Sequence, residues 1–99
     1  MARIIEFGRR FTIQLQKILT FYDERNGSDA YSRRLLQCLI EDINRVAEMP
    51  MASSPSTRDD VRFIYVMGFI VIFRYDASKV TMLSIRSSRR KPLKVYQKK

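Results

Sequence analysis

The sequence predicts an α+β domain in which a two-helix antiparallel hairpin packs on a small, mainly antiparallel sheet, in the order β-α-α-β-β-β. Three observations carry this. Apolar residues recur at helical spacing over two consecutive segments, broken only by Asn26-Gly27. Three strand-like runs, VRFIYVM, FIVIFRY and VTMLSI, then follow with tight turns between them. The chain has 99 residues, 45% of them hydrophobic and 29% charged. That is enough for one folded core and too little for two, so residues 1–99 read as a single domain with a basic tail at about 86–99.

Residues 2–7 (ARIIEF) read as a short opening strand. From about Arg9, Phe11, Leu15, Ile18, Leu19 and Tyr22 recur on one helical face, and Asn26-Gly27 stops that helix near Arg25. Ser28 is the expected cap of a second helix, with Asp29 in its first turn, where the helix dipole favours an acid. Tyr31, Leu35, Cys38, Leu39, Ile43 and Val46 form its buried stripe, and Pro50 closes it. The brief connection between the helices makes them an antiparallel hairpin. Residues 49–58 (MPMASSPSTR) hold two prolines and four Ser or Thr residues without periodicity, and read as a mobile loop.

The last third of the chain permits a register argument. A two-residue turn at Met67-Gly68 sets Val66 opposite Phe69 and Arg62 opposite Phe73. A loop from Asp76 to Lys79 sets Tyr75 opposite Val80. One face of the sheet then carries Val61, Phe63, Tyr65, Ile70, Ile72, Leu83 and Ile85, with Arg74 and Thr81 at its end. It is the expected seat of the helices. The other carries Arg62, Ile64, Val66, Phe69, Val71, Phe73, Met82, Ser84 and Arg86, and it too is apolar, unlike a solvated face. Something must cover it: either a partner's helix or strand, or the chain's own tail through Leu93, Val95 and Tyr96. A slip of one residue would exchange the faces.

The net charge of +9 is unevenly distributed. Residues 1–85 hold 12 basic and 10 acidic side chains, whereas residues 86–99 hold seven basic ones (Arg86, Arg89, Arg90, Lys91, Lys94, Lys98 and Lys99) and no acid. A surplus so localised suits an anionic partner: an acidic protein segment, a nucleic acid or an anionic surface. Cys38 is the only cysteine, which excludes an intramolecular disulfide, and the lack of histidine excludes zinc clusters and histidine-based triads. No cofactor or metal is expected. No segment has the length and apolarity of a signal peptide or membrane span, so the expected home is the cytoplasm.

The order of elements and several short motifs resemble the ParE/RelE superfamily of toxins from bacterial type II toxin–antitoxin modules. In that family the last strand ends in a segment often written His-x-Arg-Arg-Asp-Pro; here it reads Ser87-Ser88-Arg89-Arg90-Lys91-Pro92, after Val80-Thr-Met-Leu-Ser-Ile85. The family's hairpin is similar to the run from Arg62 to Arg74-Tyr75, and its second helix ends in a step like Val46-Ala-Glu-Met-Pro50. The departures are Ser87 in place of the histidine, Lys91 in place of the acid, and Met51-Ala-Ser-Ser where a glycine often follows the proline. A cleavage mechanism that depends on histidine is not available to this chain.

The resemblance implies a ParE-like toxin that acts on DNA gyrase without being an enzyme and is neutralised by a cognate antitoxin with an acidic or amphipathic C-terminal segment. The partner-binding residues expected on that reading are Arg62, Ile64, Val66, Phe69, Val71, Phe73, Met82, Arg86, Arg89 and Arg90. The alternative is a RelE-like mRNA endonuclease working on the ribosome. RNA cleavage needs an acceptor for the 2′-hydroxyl proton, a cation for the phosphate and a donor to the leaving oxygen. Arg86, Arg89, Arg90, Lys91 and Tyr96 are the candidates for those roles. A basic nucleic-acid-binding protein is a minor third reading, since only Tyr96 accompanies the basic run as a stacking side chain.

Overall fold

The computed structural model describes residues 2–88. Strand β1 (Ile4–Phe7) leads into helices α1 (Arg9–Asn26) and α2 (Ala30–Glu48). A short 3-10 turn (Pro50–Ala52) and the two-residue β2 (Ser54–Pro55) follow. The meander is β3 (Val61–Val66), β4 (Phe69–Tyr75) and β5 (Lys79–Ser87). The sheet order is β1-β5-β4-β3-β2. β1 lies parallel to β5, with Ile5 opposite Val80, and every other neighbouring pair is antiparallel.

Both helices form where the apolar spacing places them. Gly27 N–H closes α1 on Asp23 O at 2.9 Å. The expected cap at Ser28 falls one residue later: Asp29 O accepts Arg33 N–H at 2.9 Å, and the Asp29 carboxylate pairs with the Arg33 guanidinium at 3.3 Å. Ser32, only 5% exposed, turns its hydroxyl to Leu19 O and the Asp23 carboxylate, tying the helices together near their connection. Gly8 governs how α1 meets the sheet. Its N–H donates to Met82 O at 2.8 Å, and a Cβ there would lie 2.7 Å from that same oxygen, so only glycine lets the helix start so close to β5.

The hairpin turns stand where the sequence sets them. Val66 opposes Phe69, Arg62 opposes Phe73 and Tyr75 opposes Val80. Met67 (φ 48°) and Gly68 (φ 85°) both take the left-handed backbone that a two-residue hairpin turn needs to match strand twist. The β4–β5 turn is closed by Asp76, whose Oδ1 accepts the N–H groups of Ser78 (2.8 Å) and Lys79 (2.9 Å) and the Ser78 hydroxyl (3.0 Å). Those bonds, the Ser78 N–H first, hold its pKa below the ordinary carboxylate value.

The faces of the sheet are the reverse of the expectation. Val66, Phe69, Val71, Phe73 and Met82 join Phe11, Leu35, Leu39, Ile43 and Val46 in the main core, beneath both helices. Val61, Phe63, Ile70 and Ile72, with Leu83 against them, form a second cluster on the opposite face. The reason for the misplacement is that β4 reads FIVIF, apolar on both sides, so its pattern does not say which side receives the helices. Ile85 is a separate correction. A bulge shifts the β4–β5 register between Ile72 and Phe73: Phe73 opposes Met82, but Ile72 opposes Ser84. Leu83 is the extra residue, and it restores Ile85 to the same core as Val80 and Met82.

Residues 49–58 are also more ordered than the sequence suggests, since they contain β2. Arg62 holds the segment by donating from Nε to Ser53 Oγ (3.0 Å) and from Nη2 to Ser53 O (2.6 Å) and Met51 O (3.3 Å). Buried Ser56 donates to Arg58 O and Val61 O. Among the described residues no buried side-chain nitrogen or oxygen lacks a hydrogen-bond partner, and no helix is long and apolar enough to cross a membrane.

Candidate partner-binding site

Helix α1 is a ridge between two concavities of opposite chemistry. Its residues at positions 11, 12 and 15 face one side, and those at 10, 14, 17 and 21 face the other, as the 3.6-residue period requires.

On the first side, α1, α2 and β1 diverge around an apolar groove of about 400 Å³. Ile5, Phe7, Phe11, Leu15, Leu36 and Ile40 line it, with Thr12 and Asn44 among its few polar neighbours. Phe11 is the buried floor at 1% exposure, with its ring 5.8 Å from that of Phe7. Phe7 and Ile40 stand at the mouth, 57% and 59% exposed. Two large apolar side chains facing each other across an open groove mark a surface suited to docking.

On the second side, α1 and the end of β5 enclose a cleft of about 550 Å³ lined by Arg10, Lys17, Phe21, Tyr22, Phe69 and Arg86, among others. Gln14 fixes its base: its Oε1 accepts the Ile85 N–H at 2.9 Å, which anchors α1 to β5 just past the bulge. Phe21 and Tyr22 meet edge to face at 5.0 Å, and Tyr22 meets Phe69 likewise at 6.3 Å. No acid lines the cleft. Among the described residues the ion pairs lie elsewhere, between Arg33 and Asp29, Arg45 and Asp42, Arg58 and Asp60, and Lys79 and Glu6. The cations of Arg10, Lys17 and Arg86 are thus left for an external anion, above an aromatic floor.

The structure redistributes the site residues expected from sequence. Val71, Phe73 and Met82 have no exposed surface, while Val66 and Phe69 are buried at 3% and 6%, so this set is core beneath the chain's own helices and not an open groove. Ile64 packs against the same core. Arg62 holds the Met51–Ser53 segment and pairs with neither Asp59 nor Asp60. Arg86 opposes Ile70 because of the bulge, and so falls on the sheet face opposite to Arg62, not on a shared one. Only Arg86 of the expected set lines the basic cleft; Arg89, Arg90, Lys91 and Tyr96 lie outside the described residues. Tyr22 and Tyr31 are half-buried against the core with ring centroids 4.4 Å apart, in keeping with structural roles. Sequence reasoning missed Phe7, Leu36 and Ile40 of the groove and Arg10 and Lys17 of the cleft. The signal was present: Arg10, Gln14, Lys17 and Phe21 follow one another at intervals of four, three and four, which is one helical stripe.

This geometry finds its counterpart among known proteins. No curated protein matches the chain significantly. A solved structure titled "Chromosomal ParDE TA system from P. aeruginosa" is similar in fold, with a TM-score of 0.70 at 17% identity, over 87% of this chain and 96% of that one. Residues 5–92 match the family described as the ParE toxin of the type II toxin–antitoxin system, parDE. The match spans both helices and the whole sheet, and the chain therefore belongs to the ParE toxin family of type II toxin–antitoxin systems.

Proposed function

We propose that this chain is a cytoplasmic toxin that arrests growth by acting on DNA gyrase and is neutralised by a cognate antitoxin. Family membership supports the toxin role. The observation that carries the antitoxin part is the open groove beside α1, where Phe7 and Ile40 are left exposed around a buried Phe11. An amphipathic antitoxin segment would bury those side chains, and its acids would find Arg10, Lys17 and Arg86 across the α1 ridge. A segment that is disordered when free and folds on binding fits such a divided surface, because it can cross the ridge and fill both sides.

Action on gyrase as a binding inhibitor asks only for a surface. Cleavage of mRNA asks for a proton acceptor close to a phosphate-binding cluster. The described part of the cleft offers cations and Tyr22, with no carboxylate among its lining residues. The test is inducible expression in a bacterial host, with and without the adjacent open reading frame, while plasmid supercoiling and bulk mRNA are followed. Growth arrest with altered supercoiling, intact mRNA and rescue by the adjacent frame is the expected result. Arrest with codon-phased mRNA cuts would overturn the gyrase reading in favour of a ribosome-dependent endonuclease, and Arg86, Arg89, Arg90, Lys91 and Tyr96 would be the residues to substitute.

A further inference from the structure

The outer face of the sheet is buried although none of the described helices packs on it. Val61 and Ile72 are each 1% exposed, Ile70 6% and Phe63 8%, yet their cluster consists of strand residues alone. Both helices belong to the core on the other side. Tyr65, on the same outer face toward the β3–β4 turn, is 56% exposed, so the cover is local to the centre of the face.

We propose that residues 89–99 fold back across this face and seal it with Leu93 and Val95. β5 ends at Ser87 opposite Phe69, and Ser88 is fastened at the β3–β4 turn by its N–H (2.9 Å) and hydroxyl (2.8 Å), both donating to Gly68 O. From that point a chain reversing through Arg89-Arg90-Lys91-Pro92 runs back along the outer side of β4 and β3. Pro92 suits the start of such a segment, since a proline there costs no ladder hydrogen bond. Residues 93–96 in extended form cover roughly 13 Å at about 3.3 Å per residue, enough to pass from Ile70 to the far side of Ile72. Leu93-Lys94-Val95-Tyr96-Gln97-Lys98 alternates. With Leu93 and Val95 on the sheet, Lys94, Tyr96 and Lys98 face solvent, as a period of two requires.

The strap exchanges an apolar sheet face for a basic one that carries a single aromatic side chain. It also gathers Arg89 and Arg90 at the reversal, near Arg86 and the basic cleft. The inference is independent of the gyrase reading, because it concerns only how the free toxin covers its own sheet.

The test is NMR of the full chain without antitoxin. Nuclear Overhauser contacts from the Leu93 and Val95 methyl groups to the ring of Phe63 and the methyls of Ile70 and Ile72 are expected, unchanged on tenfold dilution. The double variant L93D/V95D should lose those contacts and raise the fluorescence of a hydrophobic dye several-fold, with the far-ultraviolet circular dichroism preserved. K94A/K98A should leave both readouts as they are. Absence of these contacts in the unaltered chain overturns the proposal whatever the variants do. So does burial of the face only at concentrations where sedimentation shows a dimer, which would make a second copy the cover.

Discussion

The two sides of helix α1 share one backbone and differ in almost everything that decides binding. Toward α2 and β1 the helix borders an apolar groove over Phe11, with Phe7 and Ile40 exposed at its mouth. Toward β5 it borders a cleft in which Arg10, Lys17 and Arg86 have no acidic partner among the described residues. The first kind of surface supplies affinity through burial, because apolar area removed from water is worth about 25 cal/mol per Å². The second supplies orientation and rate of encounter, because exposed charges are screened by salt within about 10 Å at 0.1 M ionic strength. One helix thus offers a partner an anchor and a guide on adjacent flanks.

The comparison breaks most completely when the element common to both sides is removed. Phe11→Ala empties the floor of the groove and loosens the seat of α1. It is expected to cost about 3–5 kcal/mol of stability in denaturant titration and to impair both sides together. Ile40→Asp should separate them. Ile40 is 59% exposed, so folding stability should change by no more than about 0.5 kcal/mol, whereas antitoxin affinity measured by calorimetry should fall by about 2 kcal/mol, near thirtyfold. An unchanged affinity would remove the groove from the antitoxin site. Arg10→Glu with Lys17→Glu sharpens the other side: association should slow on the order of tenfold at low salt, and the salt dependence of the rate should flatten, with little change in dissociation. Stopped-flow kinetics at two ionic strengths read this directly.

The smallest effect belongs to Asp76, far from either side of α1, which serves as a control. Its pKa is lowered in the folded protein, so its contribution to stability is present above the unfolded carboxylate pKa and is lost as pH falls through the lowered folded value. Acid titration should therefore speed amide exchange at Ser78 and Lys79 only below about pH 4. Asp76→Asn should abolish that step while leaving antitoxin binding unaltered.

The expected site shows how far a sequence pattern carries. The Met67-Gly68 turn was legible because two consecutive left-handed residues leave few alternatives, and the register it sets runs the length of β3. The choice of face was not legible, since Phe69 to Phe73 are buried without interruption and either side of β4 could receive the helices. Nor was the bulge. Val80-Thr-Met-Leu-Ser-Ile85 fits an unbroken alternation as well as an interrupted one, and only the interrupted one brings Met82 and Ile85 into the same core. That single extra residue moved Arg86 away from the face of Arg62. Arg62 itself read as a free cation until the chain folded back to give it the carbonyls of Met51 and Ser53.

By itself the sequence determined the local structures: two amphipathic helices joined at Asn26-Gly27, a meander with fixed turns, and a charge surplus confined to residues 86–99. Those follow from spacing, turn chemistry and charge, which act between near neighbours in the chain. Only the tertiary structure decided which sheet face lies beneath the helices, and that Phe7 and Ile40, 33 positions apart, share one groove. It likewise set Arg10 and Lys17 beside Arg86. Such juxtapositions depend on how whole elements pack, and packing is settled by the fit of all the apolar faces together.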